Sequence, residues 1–334
     1  MEQRVLGRTE RPVSVVGLGT WQLGADWGEV DERDAMAVLD GAVEAGVTFF
    51  DTADVYGDGR SEKLIGSYLG EHDSRGSGVD LVVATKMGRR VDQIPENYVL
   101  ENFRGWVDRS RRNLEMDRLD LVQLHCPPTA VYSRDEVYDA LDTLVSEHLI
   151  AAYGVSVETA DEALTAISRR GTASVQIILN VFRRKPLEFV LPAAAAAGVG
   201  IVARVPLASG LLSGRYDEST TFAENDHRSY NRNGEAFDVG ETFSGVDYAT
   251  GVRAARAFSG LVAGLAFEAT PAQAALAWVV QQPGVTAVIP GARSPEQARA
   301  NAAAGELPPL GDDFMSAVED LYTTEIAPLV ADRW

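Results

Sequence analysis

Four residues with acid–base or charge-stabilising side chains stand at the ends of three successive apolar runs. The run in 47-VTFFDTADVYGDG-59 ends at Asp51, and Tyr56 follows it in the same loop. The next two apolar runs end in Lys86 and His125. A strand end needs only a turn-forming residue such as Gly, Asn or Pro. Each of the four has an ordinary structural explanation on its own, so it is their occurrence at neighbouring ends that indicates a site.

A tyrosine beside a lysine can act as a proton donor. A phenol has a pKa near 10, and an ammonium about 4 Å away favours the phenolate by roughly 4 kcal/mol at an effective dielectric near 20. That predicts a lowered pKa for Tyr56. Pairing with Asp51 keeps the charge on Lys86, and a neutral His125 can donate a hydrogen bond to the same substrate oxygen. Only three of the 30 basic residues are lysines, and a compact ammonium can approach a phenol more closely than a guanidinium.

Short apolar runs alternate along the chain with segments whose apolar residues recur at helical spacing. The eight candidate strands begin at Ser14, Val47, Asp80, Leu119, Ile150, Ser174, Val199 and Val285. This alternation, without a Pro/Ser-rich linker, predicts one α/β domain over 1–334: a single (β/α)8 TIM barrel with an N-terminal β-hairpin. A doubly wound sheet is the alternative. In a barrel the active site lies at the C-terminal ends of the strands, which would bring the four residues together.

Two further structural features are predicted. The polar stretch 213–250 is too long for a plain connection, so we expect extra helices and loops over the C-terminal face. Asp31, Ser133 and Thr270 stand where helix N-caps are expected. Asp54 is interpreted as a turn residue without a role in the site.

Composition argues against several classes of protein. The net charge of −19 argues against nucleic acid or an anionic membrane as a partner. The N-terminal segment 1–10 lacks the apolar core of a signal peptide, and no apolar run reaches the roughly 20 residues needed to span a membrane, so a cytoplasmic location is predicted. The single cysteine, Cys126, excludes an internal disulfide. The four histidines show no metal-ligand spacing.

Over essentially its whole length the chain resembles the aldo-keto reductases. The matching segments, in family order, are 17-GLGTW, 51-DTADVYG, 85-TKMG, 121-LVQLH, 154-GVS, Gln176, 206-PLASGLLSGRY and 289-IPGARSPEQARAN. The resemblance implies a catalytic tetrad of Asp51, Tyr56, Lys86 and His125. It also implies reduction of an aldehyde or ketone by direct hydride transfer from a nicotinamide cofactor, with Tyr56 as general acid. A small-molecule carbonyl is the implied substrate, and a monomer is the family's default, with an oligomer as the open alternative.

The resemblance also implies where the cofactor binds. The cofactor-binding positions are Thr20, Trp21, Ser156, Gln176, Arg204, Pro206, Leu207, Gly210, Leu212, Arg215, Gly291, Arg293, Gln297 and Asn301. Among them, Ser156 and Gln176 would hold the nicotinamide carboxamide. The chain departs from the family at Val157, where many members have asparagine, and at Arg204, where many stack a tyrosine on the nicotinamide.

The adenosine end of the cofactor would meet the segment 291-GARSPEQARAN, which leads into a predicted helix. The backbone amides at a helix N-terminus and the guanidinium of Arg293 both suit a 2′-phosphate. This favours NADPH, with NADH as the less favoured alternative.

The substrate pocket is predicted from aromatic residues near the tetrad. Its predicted walls are Trp21, Trp27, Tyr56, His125 and Phe182. Arg183 or Arg184 is a candidate contact for an anionic substrate group, unless both are simply solvated.

Two other functions remain open at this point. A Schiff-base aldolase would use Lys86 as its nucleophile. A regulatory barrel would retain the cofactor as a redox sensor and turn over slowly.

Overall fold

Ten strands are present in the computed structural model, which describes residues 1–24, 31–74, 78–224 and 226–334. They are β1 (Gln3–Val5), β2 (Pro12–Ser14), β3 (Leu18–Gly19), β4 (Phe49–Asp51), β5 (Val82–Met87), β6 (Leu119–His125), β7 (Ile150–Ser156), β8 (Thr172–Ile178), β9 (Gly200–Arg204) and β10 (Ala287–Val288). Strands β3 to β10 form one eight-stranded sheet in chain order, with all neighbours parallel. All eight candidate strands of the sequence are therefore confirmed.

The first and last strands of this sheet meet and close it into a barrel. Gly17 N donates to Val288 O at 2.8 Å, and Gly19 N donates to Pro290 O at 3.0 Å. With these bonds the sheet has no free edge in this region. The (β/α)8 barrel is confirmed over the doubly wound sheet, which would leave two edges.

Side chains alternate between the two faces of each strand, because a β-strand has a period of two residues. Phe49 and Leu121 belong to an apolar cluster inside the barrel. Their neighbours Phe50 and Val122 belong to the larger cluster between the strands and the surrounding helices. This alternation decides which residues at the strand ends face the barrel axis.

Twelve α-helices lie in the described ranges. They are α1 (Glu32–Glu44), α2 (Arg60–Ser74), α3 (Leu100–Leu114), α4 (Asp135–Ser146), α5 (Ala160–Ile167), α6 (Val190–Ala197), α7 (His227–Tyr230), α8 (Tyr248–Val262), α9 (Pro271–Val280), α10 (Pro295–Ala302), α11 (Asp312–Leu321) and α12 (Ala327–Val330). Of the helices in these ranges, none is long and apolar enough to cross a membrane.

Two of the three predicted helix caps are confirmed. Asp31 accepts the backbone N–H three residues on, and Thr270 forms a reciprocal capping box with Gln273. Ser133 is not a cap. Its hydroxyl donates to Ala130 O in the preceding 3₁₀ turn, and α4 begins two residues later.

The predicted N-terminal hairpin closes the bottom of the barrel. Strands β1 and β2 pair antiparallel, and Leu6 between them is fully buried in the interior cluster. Gly7 has a positive φ of 51°, and a Cβ there would lie 2.1 Å from Ala173 O. Only glycine allows the hairpin to approach the strands this closely.

The stretch 213–250 lies at the opposite, C-terminal end of the barrel, as predicted. It contains α7 and several 3₁₀ turns rather than one long helix. Five of its residues line the cavity described below: Tyr216, His227, Arg228, Phe237 and Glu241.

Candidate active site

Polar side chains occupy the inward-facing positions at the C-terminal ends of the strands. Asp51 lies two residues beyond the inward-facing Phe49. Gln123 and His125 lie two and four residues beyond Leu121. The strand period therefore places these polar groups above the apolar interior layer, on the same axis.

A cavity of about 490 Å³ opens above these strand ends. The predicted site residues that line it are Thr20, Trp21, Asp51, Tyr56, His125, Ser156, Gln176, Arg204, Pro206, Leu207, Gly210, Gly291, Arg293 and Gln297. They come from the strand ends, from the loop after β9 and from the start of α10. The structure thus brings most of the predicted catalytic and cofactor positions into one space.

Lys86 joins Asp51 to Tyr56 at the base of this cavity. Lys86 Nζ lies 2.5 Å from Asp51 Oδ1 and 2.8 Å from Thr52 O. It donates to Tyr56 Oη at 3.5 Å. The Lys86 and Asp51 side chains are 1% and 3% exposed, so the pair is screened little by water.

The second oxygen of Asp51 is also bonded. Asp51 Oδ2 accepts from Gln176 Nε2 at 2.7 Å and from Gln123 Nε2 at 3.2 Å. The Gln176 amide therefore donates its N–H to the Asp51 carboxylate. The family resemblance had assigned Gln176 to the cofactor carboxamide. Gln123 was not singled out from the sequence, although its inward position two residues before His125 was a readable signal.

Burial sets the protonation of the Tyr56–Lys86 pair. The pKa of Tyr56 is raised above its ordinary value because burial outweighs the nearby Lys86 ammonium. The lowered pKa expected from the sequence is therefore wrong in direction, because desolvation of the buried phenol exceeds the attraction to the Lys86 ammonium. Burial acts to lower the pKa of Lys86, but Asp51 and Tyr56 outweigh it and raise that pKa. At neutral pH the pair is a phenol beside an ammonium.

His125 is neutral in this site. Its pKa is held well below the usual value, first by burial and then by the positive charges of Arg89, Lys86 and Arg204. Arg89 Nε donates to the backbone oxygen of His125 at 3.0 Å. A neutral imidazole can donate one N–H to a substrate oxygen without competing with Tyr56 as an acid.

The loop that carries Tyr56 packs closely against the first barrel loop. The Tyr56 ring stacks on Trp21 with centroids 6.0 Å apart and meets His125 edge-on at 5.9 Å. Gly57 has a φ of 57°, and a Cβ there would lie 2.0 Å from Gly24 O. A glycine after Tyr56 is therefore required for the phenol to reach the site.

Arg204 is fixed in a buried charge network. Its Nη1 lies 2.5 Å from Glu241 Oε1, and its Nη2 lies 2.9 Å from Glu158 Oε2. Nη2 also donates to Val157 O at 3.1 Å, and Arg89 Nη2 lies 3.7 Å from Glu158. Where the family resemblance expects a tyrosine, the chain thus places a guanidinium held by two carboxylates.

Not every predicted cofactor position lines the cavity. Leu212 is fully buried in the core, Arg215 is exposed, and Asn301 Nδ2 donates to Gly291 O at 3.1 Å. None of the three belongs to the lining. Asn301 therefore acts on the segment before α10 rather than within the cavity.

The start of α10 is the candidate position for a phosphate group of a cofactor. Ser294 caps the helix and Pro295 is its first residue. Arg293 and Gln297 both line the cavity, and Arg293 N donates to Gln297 Oε1 at 2.8 Å. At Gly291 a Cβ would lie 2.2 Å from the Gln22 amide, so the absence of a side chain keeps this part of the wall open.

The structure brings three of the five predicted substrate walls to the cavity. Trp21, Tyr56 and His125 line the cavity, and Trp27 lies outside the described residues. Phe182 is a correction: its ring is fully buried in the apolar core between the strands and helices, where removal from water favours it, and it does not line the cavity. Instead, Phe237 and His227 line the cavity from the 213–250 stretch.

Arg183 and Arg184 are neither solvated nor part of the cavity. Arg183 pairs with Asp238 at 3.2 Å, and Arg184 pairs with Glu319 and donates to Val318 O. Both arginines are almost fully buried. Within the described residues, no group of three or more His, Cys, Asp or Glu side chains could hold a metal ion.

A closed parallel barrel with a buried acid–base group beneath a cavity at its C-terminal face is the arrangement of a barrel enzyme. The model of the aldo/keto reductase family matches residues 15–323. The chain belongs to the aldo/keto reductase family, a family of oxidoreductases.

Individual relatives agree with this assignment. The chain is 28% identical over 301 residues to the aldo-keto reductase YhdN of Bacillus subtilis, covering 90% of this chain and 87% of that protein. It resembles the holo form of aldo-keto reductase AKR11C1 from Bacillus halodurans, with 27% identity, a TM-score of 0.76 and 96% of each chain covered. It also resembles the glycerol dehydrogenase AKR11B4 from Gluconobacter oxydans, with 27% identity, a TM-score of 0.77 and coverage of 99% and 97%.

Proposed function

We propose that this protein reduces a small aldehyde or ketone to the alcohol with NADPH, with Tyr56 protonating the carbonyl oxygen. The observation that carries the proposal is the position of Lys86 Nζ, 2.5 Å from Asp51 Oδ1 and 3.5 Å from Tyr56 Oη. A buried ammonium between a carboxylate and a phenol, beside a neutral histidine, suits the phenol to proton donation.

Each side chain of the tetrad has a distinct role in this reaction. Tyr56 holds its proton at neutral pH because its pKa is raised, so Oη has a proton to give. As that proton leaves, Lys86 Nζ stabilises the negative charge that develops on Oη. Asp51 keeps Lys86 charged and fixed, and His125 orients the carbonyl oxygen by a hydrogen bond.

The cavity lining runs from the tetrad to the start of α10, so both ends of a dinucleotide would meet residues of its wall. When bound, NADPH supplies the hydride. Ser156 and Gln176 would lie at its nicotinamide end, Leu207 and Gly210 at its pyrophosphate, and Arg293 at its 2′-phosphate, since backbone amides at a helix N-terminus and a guanidinium both favour phosphate. The Bacillus halodurans relative in its holo form supports a cofactor in this fold.

The two alternative functions receive less support. A Schiff-base aldolase needs a neutral lysine amine, whereas Asp51 and Tyr56 raise the pKa of Lys86 and keep it protonated. A redox sensor would retain this site but turn over slowly, so the rate of the wild-type protein distinguishes it from a reductase.

Tyr56→Phe tests the proposed proton donor. We expect carbonyl reduction to fall by at least about 100-fold, because general acid catalysis contributes about that much or more, while NADPH binding stays nearly unchanged. The measurement is loss of NADPH absorbance with an aromatic aldehyde, a dicarbonyl, an aldose and a keto-steroid, together with NADPH binding by fluorescence.

The matched control is Tyr322→Phe, which removes a phenol on the C-terminal helices outside the cavity. It should keep wild-type turnover. Equal turnover by Tyr56→Phe would remove Tyr56 from the mechanism, and tight NADPH binding without turnover of any carbonyl in the wild type would favour the sensor.

A further inference from the structure

The segment 231–245, which we call the lining loop, places two side chains against the cavity. Phe237 lies edge-on to Trp21 with ring centroids 6.3 Å apart. Glu241 Oε1 lies 2.5 Å from Arg204 Nη1. Because both residues line the cavity, the position of the lining loop determines one of its walls.

On its other side the lining loop contacts the indole of Trp334. Trp334 Nε1 donates to Asp238 Oδ2 at 3.1 Å, and Arg333 Nη1 donates to Gly245 O at 3.2 Å. A Cβ at Gly240 or Gly245 would lie 2.7 or 2.6 Å from indole carbons of Trp334. The loop backbone therefore approaches the indole so closely that a side chain at either position would force it away.

Trp334 is itself held by the barrel. The guanidinium carbon of Arg183 lies 3.9 Å from the indole centroid, and Arg183 also pairs with Asp238 Oδ1 at 3.2 Å. The backbone oxygen of Trp334 accepts from Ala160 N, in the first turn of α5, at 3.2 Å. A cation over an indole face is attracted to it, and more strongly when both are removed from water.

These contacts form one unit, the Trp334 anchor, made of Trp334, Arg183 and Asp238. None of the three residues lines the cavity, and the proposed reaction uses none of them. In sequence, Asp238 follows Phe237 by one residue and precedes Glu241 by three. Fixing Asp238 therefore restrains both cavity-lining side chains.

We propose that Trp334 is a positioning residue, which stacks on Arg183 and bonds Asp238 to hold the lining loop against the substrate pocket. Loss of the indole frees the loop that carries Phe237 and Glu241, and so weakens carbonyl binding. The tetrad stays in place because its residues are on β4, β5, β6 and the loop after β4. The kinetic part of this proposal rests on the proposed reductase function, whereas the structural part does not.

Trp334→Ala and Trp334→Phe test the anchor, with Leu329→Ala as control. Leu329 is 41% exposed and precedes Trp334 by five residues. We expect Trp334→Ala to raise KM for the carbonyl by about tenfold and to leave kcat little changed. A tenfold rise is the effect expected from losing one hydrogen bond together with the packing around it. Trp334→Phe, which keeps a ring over Arg183 but loses the bond to Asp238, should fall between it and the wild type, and Leu329→Ala should match the wild type.

A second measurement does not depend on catalysis. Trypsin cleavage after Arg232, an exposed residue of the lining loop, is followed by mass spectrometry in the wild type and the three variants. We expect faster cleavage in Trp334→Ala, intermediate cleavage in Trp334→Phe and wild-type cleavage in Leu329→Ala. If Trp334→Ala fails to fold, Trp334→Phe alone decides by the same two measurements.

The outcomes separate the two proposals. Wild-type KM and wild-type cleavage in Trp334→Ala or Trp334→Phe would overturn the anchor. A fall in kcat without a rise in KM would also overturn it, because that result means the tetrad is disturbed. If the wild type reduces no carbonyl, the proposed function fails, and the cleavage rates still decide whether Trp334 holds the loop.

Discussion

At the scale of single residues, the site depends on carboxylates and cations that are buried together. Asp51 is satisfied on both oxygens by Lys86, Gln123 and Gln176. Asp54, three residues on, is equally buried, but neither of its oxygens has a hydrogen-bond partner among the described residues. Asp54 is therefore a buried carboxyl group without a hydrogen-bond partner in the described part of the chain, and burial of that kind disfavours its charged form.

The pKa of Asp54 is raised to about 7, first by burial and then by Glu62, with Arg90, Arg109 and Lys86 opposing. The folded protein therefore binds this proton more tightly than the unfolded chain does. Ionising Asp54 in the folded protein lowers the free energy of unfolding. This loss is absent below the pKa that Asp54 has in the unfolded chain, grows as pH rises and is complete above about pH 7.

Asp54→Asn should therefore become more stable relative to the wild type as pH rises. We expect the difference in free energy of unfolding to shift in favour of the variant between about pH 5 and about pH 8, measured by urea unfolding at both. The control is Asp58→Asn in the same loop. The pKa of Asp58 is lowered by Arg90 and Arg109, so its stabilisation is lost only when pH falls below the ordinary pKa of an aspartate, and Asp58→Asn should show no change between about pH 5 and about pH 8. A difference for Asp54→Asn that does not change with pH would mean that Asp54 stays ionised in the folded state.

At the scale of elements, the proposed NADPH preference depends on the start of α10. Its first backbone N–H groups have no partner within the helix and carry the positive end of the helix dipole. The helix begins at Pro295, two residues after the cavity-lining Arg293 and directly after its cap Ser294. In the proposed NADPH complex, the helix start would supply backbone amides and Arg293, two residues before the helix, would supply the guanidinium.

Arg293→Ala should weaken NADPH binding by about 10-fold or more and leave NADH binding nearly unchanged, because one charge-assisted contact to a 2′-phosphate is worth about 1.5–3 kcal/mol. Both dissociation constants are measured by cofactor fluorescence. Arg299→Ala is the matched control, since Arg299 lies on the same helix and pairs with Glu44 at 2.8 Å outside the cavity. Equal losses for NADPH and NADH would place the 2′-phosphate elsewhere.

At the scale of the whole molecule, the two ends of the barrel differ in polarity. The hairpin end is apolar and closed by Leu6, whereas the opposite end carries the polar cavity. Stability and activity should therefore be separable by mutation, as is usual in this architecture.

Leu6→Ala should lower the free energy of unfolding by about 2–5 kcal/mol, the usual cost of removing a fully buried leucine side chain, without changing KM or kcat. Urea unfolding and steady-state kinetics measure the two effects. The neighbouring Val5→Ala, at a residue that is 57% exposed, should change stability by no more than about 0.5 kcal/mol. A change in KM for Leu6→Ala would show that the bottom of the barrel is coupled to the site.

The sequence alone determined the barrel and the end of it at which Asp51, Lys86 and His125 lie. Strand period and strand order are local properties, and both place Asp51, Lys86 and His125 at one end of the barrel on its inner face. Gly57 next to Tyr56 was visible in the same motif. These predictions succeeded because each depends on residues that are close in sequence or on a rule that holds for every barrel.

Tertiary structure alone decided what surrounds those residues. Glu241 reaches Arg204 from 37 residues away, and Trp334 reaches Arg183 from the far end of the chain; neither pairing leaves a periodic signal. Burial, which no local pattern measures, reversed the expected pKa direction of Tyr56 and moved Phe182 into the core. Local patterns report on the chain's own period, whereas desolvation and charge pairing depend on what other segments bring to the same place.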